Sequence, residues 1–195
     1  EHHPVAAGVE RTLASYTVPD VTLTDQNGRK VSLPELLNAG QPVMLNFIFT
    51  TCTTICPVMS ATFAQVQADL GPEAEKLHMV SISIDPEHDT PQRLRDYAKR
   101  FDAGPQWDFY TGQVDDIIAV QKDFDVYRGN KMSHEPTTLM RKSKADPWVR
   151  VDGLASGKDI TAMNAERRRL SRVKGGGLLA AFSGASVQVL AISDV

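Results

Sequence analysis

Cysteine is scarce in this chain of 195 residues. There are two, and their number alone does not set a redox compartment. Long apolar runs are missing as well: none approaches the ~20 residues that a membrane-spanning helix requires. Nor does charge of one sign dominate. The formal net charge is −3, too small to argue for nucleic acid or an acidic partner. Internal repeats are absent, which excludes a repeat architecture. What remains is ordinary for a globular protein, with 42% hydrophobic and 23% charged residues. The length suffices for one domain with a sizeable core. The first residue is Glu1 rather than methionine, which leaves a signal peptide or membrane anchor upstream open.

The two cysteines stand together, at Cys52 and Cys56, behind the unbroken apolar run Val43 to Phe49. Such a run reads as a strand buried on both faces, as in the middle of a parallel sheet. Pro57 follows Cys56 directly, and Met59, Phe63, Val66 and Leu70 recur at helical spacing. The stretch is therefore strand, tight loop, helix, with both thiols at the carboxyl end of a central strand, where open α/β sheets gather their ligands. Free N–H groups at the helix start favour negative charge and should ease formation of at least one thiolate. A thiolate pair suits Cu(I) or Zn. The pair could instead close a small disulfide loop or be buried structural cysteines.

The remaining elements follow in order. Residues 1–17 show no clear period and are expected to form a flexible segment. Val21 and Leu23, the turn signal Asn27–Gly28, then Val31 and Leu33 predict a β-hairpin. A short helical turn runs from Pro34 to Leu37. Met79 to Ile84 predicts a strand and Pro91 to Phe101 a helix. Trp107 to Tyr110 reads as a strand, and a helix follows from about Val114. Residues 125–135 read as a loop, and Thr137–Arg141 with Trp148–Asp152 as a second hairpin. A closing helix is expected from Lys158 to about Arg172. The strand–helix alternation implies parallel strands with right-handed crossovers, so the class is α/β. The expected division is a segment 1–17, a domain 18–170 and a C-terminal tail 171–195, apolar after Gly175-Gly176-Gly177.

His134 precedes Pro136 and the strand from Thr137. A proline leading into a strand beside a dithiol loop is where thioredoxin-like folds keep a cis-proline. If Pro136 fills that place, His134 comes near both cysteines, and two thiolates with one imidazole accept copper in both oxidation states. The plainer reading is a loop histidine with no partner. Met132 is a weaker ligand candidate, because methionine is more often a gap-filler. Asp85 and Asp89 could orient a ligating histidine, although helix capping explains Asp89 more simply. His2 and His3 sit in a terminus, and His78 and His88 carry no signal of function.

Three segments together resemble the Sco/SenC proteins, thioredoxin-like copper chaperones for cytochrome c oxidase assembly. FTTCTTICP (49–57) is similar to the family's Cys-x-x-x-Cys-Pro motif, SIDPEHDTPQRLRDYAKRF (83–101) to its Asp-Pro-x-x-Asp-Thr-Pro segment, and KMSHEPTTLMR (131–141) to the stretch presenting its third ligand. The resemblance implies a thioredoxin-like fold, a central mixed sheet flanked by helices with an N-terminal β-hairpin. It implies Cys52, Cys56 and His134 as copper ligands, Cu(I) or Cu(II) as the bound ion, and a periplasmic location, often on a membrane-anchored protein. The expected function is a metallochaperone that delivers copper to the dinuclear centre of a terminal oxidase subunit. The alternative is a thiol:disulfide oxidoreductase acting on the acceptor's cysteines or on other exported proteins. Thr53 stands where many members have proline, and the chain past about residue 170 resembles nothing in the family.

Overall fold

The apolar run becomes β4 (Val43–Ile48), with every residue buried. In this computed structural model, which describes residues 8–163, β4 lies inside one eight-stranded sheet of order β1-β8-β7-β4-β5-β6-β2-β3. β5 (His78–Ser83) and β6 (Trp107–Thr111) run parallel to β4, and β7 (Thr137–Arg141) runs antiparallel on its other side. The hairpin β2 (Thr22–Asp25) and β3 (Lys30–Ser32) forms the edge beyond β6. β8 (Trp148–Asp152) pairs with β7 as the second hairpin. The sheet is thus mixed and thioredoxin-like, as the resemblance implies.

Helices cover both faces. α2 (Ile55–Leu70) and α3 (Pro91–Arg100) lie on the face of Trp107 and Phe109, where Phe63 meets Trp107 at 5.6 Å and Tyr97 meets Phe109 at 6.0 Å between ring centroids. On the opposite face, the residue after α4 (Val114–Asp123), Phe124, packs against Phe47 and Trp148. α1 (Leu33–Leu37) lies on that side too, with the buried Arg141 guanidinium donating to the Leu37 carbonyl at 2.8 Å. Residues 157–163 are helical. A Cβ on Gly157 would stand 2.7 Å from Gln65 Cγ, so glycine lets this segment approach α2. The rest of the expected closing helix, the tail 171–195, and His2 and His3 fall outside the described residues.

Two expectations fail. Residues 1–17 are not all a loose segment, because Glu10–Ala14 forms β1, antiparallel to β8. Its side chains are nearly all exposed, so there is no apolar alternation to read; backbone pairing on a sheet edge needs none. Among the described residues there is also no cis peptide bond. Pro136 is trans, the isomer that X–Pro bonds ordinarily prefer.

Arg150 fastens several of these parts. Buried on β8, it donates to Asp152 at 2.7 Å, to the Tyr16 hydroxyl at 3.0 Å and to the carbonyls of Phe124 and Asp125 at 2.9 and 3.2 Å. Removing it takes the guanidinium from all four acceptors, of which Asp152 keeps the Thr137 hydroxyl and the Asp125 carbonyl keeps Arg128. Arg150→Leu should lower the free energy of unfolding by about 2–4 kcal/mol, read as a lower urea midpoint at unchanged slope.

Candidate metal centre

The ladder of β4 sets the site. β7 is antiparallel to it, with Asn46 opposite Thr138, so the start of β7 lies at the end of β4. His134, just before β7, and Cys52, just after β4, therefore meet at one sheet edge. They line one small cavity of about 60 Å³ with Phe49 and Met132.

The thiols are unequal. Cys52 is 9% exposed and Cys56 is fully buried. Thr54, the cap residue of α2, makes no side-chain cap bond. The Cys52 sulfur takes that role instead, accepting from the Cys56 amide at 3.4 Å. Burial pushes the Cys52 thiol up, but the hydrogen bond from the Cys56 thiol and those from the amides of Cys56 and Thr54 outweigh it. Its pKa ends below the ordinary cysteine value. Cys56 moves far the other way, through burial first and then through donating its proton to Cys52. One thiol is ready to ionise while its neighbour holds its proton.

His134 Nε2 lies 2.9 Å from the Phe47 carbonyl oxygen. A carbonyl only accepts, so Nε2 carries the hydrogen and Nδ1 the lone pair. Nδ1 is buried with no hydrogen-bond partner among the described residues. Burial, only partly countered by the Phe47 bond, lowers the pKa of the ring, which keeps it neutral near pH 7. A neutral imidazole with its tautomer fixed and its other nitrogen orphaned fits a metal ligand. Even so, among the described residues no three His, Cys, Asp or Glu side chains stand close enough together to form a metal-holding group.

The acidic residues serve other ends. Asp89 is fully buried and accepts from the Thr50 amide at 3.0 Å, the Thr50 hydroxyl at 2.5 Å and the Ser83 hydroxyl at 2.6 Å. It braces the loop before Cys52 against the end of β5. Capping of α3 falls to Thr90, whose hydroxyl accepts from the Arg93 amide. Asp85 pairs with Lys131 and with His88, which holds the turn before His134 and does not orient His134 itself. Lys131 escapes a reading by motif, because its role depends on a partner far along the chain.

A family model described as SCO1/SenC matches residues 9–149. The chain belongs to the SCO1/SenC family. The SCO1 protein homolog of Bacillus subtilis is 38% identical over 99 residues, which are 50% of this chain and 50% of that protein. This SCO1/SenC chain thus spans about half the length of that relative. Among solved structures, BsSco is 28% identical at a TM-score of 0.65, over 77% of this chain and 92% of that one. It is described as having a disulfide switch and as a member of the Sco family of cytochrome c oxidase assembly proteins. Bradyrhizobium japonicum ScoI with copper bound is 25% identical at a TM-score of 0.59, over 72% of this chain and 92% of that one. A second model, described as a domain of unknown function (DUF4147), matches residues 150–195.

The unequal thiols of this SCO1/SenC protein predict unequal chemistry. In the reduced protein, alkylation by iodoacetamide should begin at Cys52 below the pH at which a free cysteine reacts, while Cys56 stays unmodified well above it. Peptide mapping by mass spectrometry across a pH series checks this; equal labelling at each pH would contradict it. Asp89→Asn replaces an acceptor of three hydrogen bonds by a group that also donates, and should cost about 1–3 kcal/mol of stability, measured by denaturant unfolding.

Proposed function

We propose that this protein is a copper metallochaperone, holding copper through Cys52, Cys56 and His134 and delivering it to the copper-accepting subunit of a terminal oxidase. The observation that carries the reading is the cavity shared by Cys52 and His134, with an orphaned imidazole nitrogen and Cys56 in contact with Cys52. Two soft sulfurs suit Cu(I), and an added imidazole extends the site to Cu(II). Copper bound in the related ScoI supports the choice of metal. The oxidase as destination rests on what the Sco family is described as assembling. A periplasmic site of action, with the protein attached to the inner membrane, belongs to the same reading.

A second reading is a thiol:disulfide oxidoreductase. The disulfide switch described for BsSco favours it, as does a low-pKa Cys52 beside a second thiol. The extra residue between the cysteines, compared with Cys-x-x-Cys, displaces the resolving thiol and slows exchange.

Cysteine variants do not separate the readings, because both need the pair. His134→Ala does. Copper delivery predicts that it weakens Cu(II) at least ~10-fold more than Cu(I), since Cu(I) keeps its two thiolates. Exchange with a small disulfide should be unchanged. Competition titrations with both ions and a thiol-exchange assay measure this; equal loss of both ions, with wild-type exchange as fast as thioredoxin's, favours the reductase. Truncation after Arg172 should leave one copper bound per chain, because every proposed ligand precedes residue 135. Metal analysis after desalting reads this.

A further inference from the structure

Copper held by the buried thiols has to reach an acceptor outside, and the wall of the cavity carries one more soft donor. Met132 is 75% exposed, yet it lines the cavity together with Cys52 and His134. Methionine usually fills gaps in a core; here it fills none. Nor is its position that of a loose loop. The turn Lys131–Ser133 is closed by the Asn130 side chain accepting from the Met132 amide at 2.9 Å and by the Ser133 amide on the Asn130 carbonyl at 2.9 Å. Lys131 anchors the turn below, on Asp85 and over the Phe49 ring at 5.7 Å. The turn thus presents a thioether at the boundary between the cavity and solvent.

Resting on the copper reading above, we propose that Met132 is the exit ligand, a thioether that takes copper over beside Cys52 and passes it to the incoming donor. Cys56 is fully buried and does not line the cavity, whereas Cys52 does. An acceptor therefore reaches copper from the Cys52 side. The exchange proceeds one bond at a time. The copper–sulfur bond to Cys56 breaks as the bond to the Met132 sulfur forms, and the freed Cys56 sulfur regains the proton it gave up on metal uptake. The incoming donor then displaces Met132 and the His134 imidazole, which leaves neutral, and finally Cys52. Copper stays Cu(I) throughout, so no oxidant or reductant is required. A thioether suits this step because it is soft enough to bind Cu(I) but neutral and readily displaced.

The test loads the full chain with one Cu(I) and mixes it with excess bicinchoninate, a small chelator that needs no docking surface. Met132→Leu keeps the apolar bulk and removes the sulfur; Met132→Ala removes both. Both should slow transfer about 10-fold, while the equilibrium affinity for Cu(I) changes by less than about threefold. Transfer by Met132→Leu at the wild-type rate would overturn the proposal, including the case in which only Met132→Ala is slow, since bulk would then be what matters. A loss of affinity as large as the loss of rate would also overturn it, making Met132 a resting ligand. Failure of the wild-type chain to take up copper is a different outcome: it removes the metallochaperone reading itself.

Discussion

Strand β7 runs against β4, with Val43 opposite Arg141 and Asn46 opposite Thr138, and the site depends on that direction. A parallel β7 would begin at the far end of β4 and carry His134 away from the cysteines. With the antiparallel ladder, a residue 82 positions after Cys52 in sequence lines the same cavity. The final carbonyls of β4 also find use, since Phe47 receives the imidazole N–H. The strand that forms the centre of the core therefore sets the tautomer of the candidate ligand at its end.

Around that ladder, hydrogen bonds divide the labour between the two thiols. The helix amide that would ordinarily seek a serine or aspartate cap finds a sulfur instead. This favours negative charge on Cys52 and, with burial, disfavours it on Cys56. Asp89 supports the arrangement from behind, its carboxylate held by three donors, the Thr50 amide, the Thr50 hydroxyl and the Ser83 hydroxyl. The loop carrying the thiols is thereby tied to the end of the neighbouring strand as well as to its own helix.

Most of the architecture was legible because local patterns coincided with it. The run Val43 to Phe49, the helix start at Pro91 and the Asn27–Gly28 turn each state their element in adjacent residues, and each element forms. β1 was not legible, because an exposed edge strand leaves no period in its side chains. Asp89 was misread for a related reason: beside a threonine and a proline it looks like a cap, and only the fold brings Thr50 to it. The cysteines stood out through their spacing and the proline behind them, whereas His134 was singled out as a ligand only by the family resemblance. The cap sulfur, the Phe47 acceptor and the Lys131–Asp85 tie require partners distant in sequence, and no local pattern carries them.

The two tryptophans have settled in different layers. Trp107 lies beneath α2 with Phe63, its indole N–H donating to Ser81 at 3.0 Å, and Ser81 in turn donates to Asn46 at 2.7 Å. Trp148 lies on the other face, under the Arg141 guanidinium and edge-on to Phe124. Each layer thus contains its own fluorophore. A chain keeping only Trp107 reports by emission on the layer that carries the cysteine helix. One keeping only Trp148 reports on the layer that holds Phe124 and Arg141. Loosening of either half can then be followed separately in the intact protein.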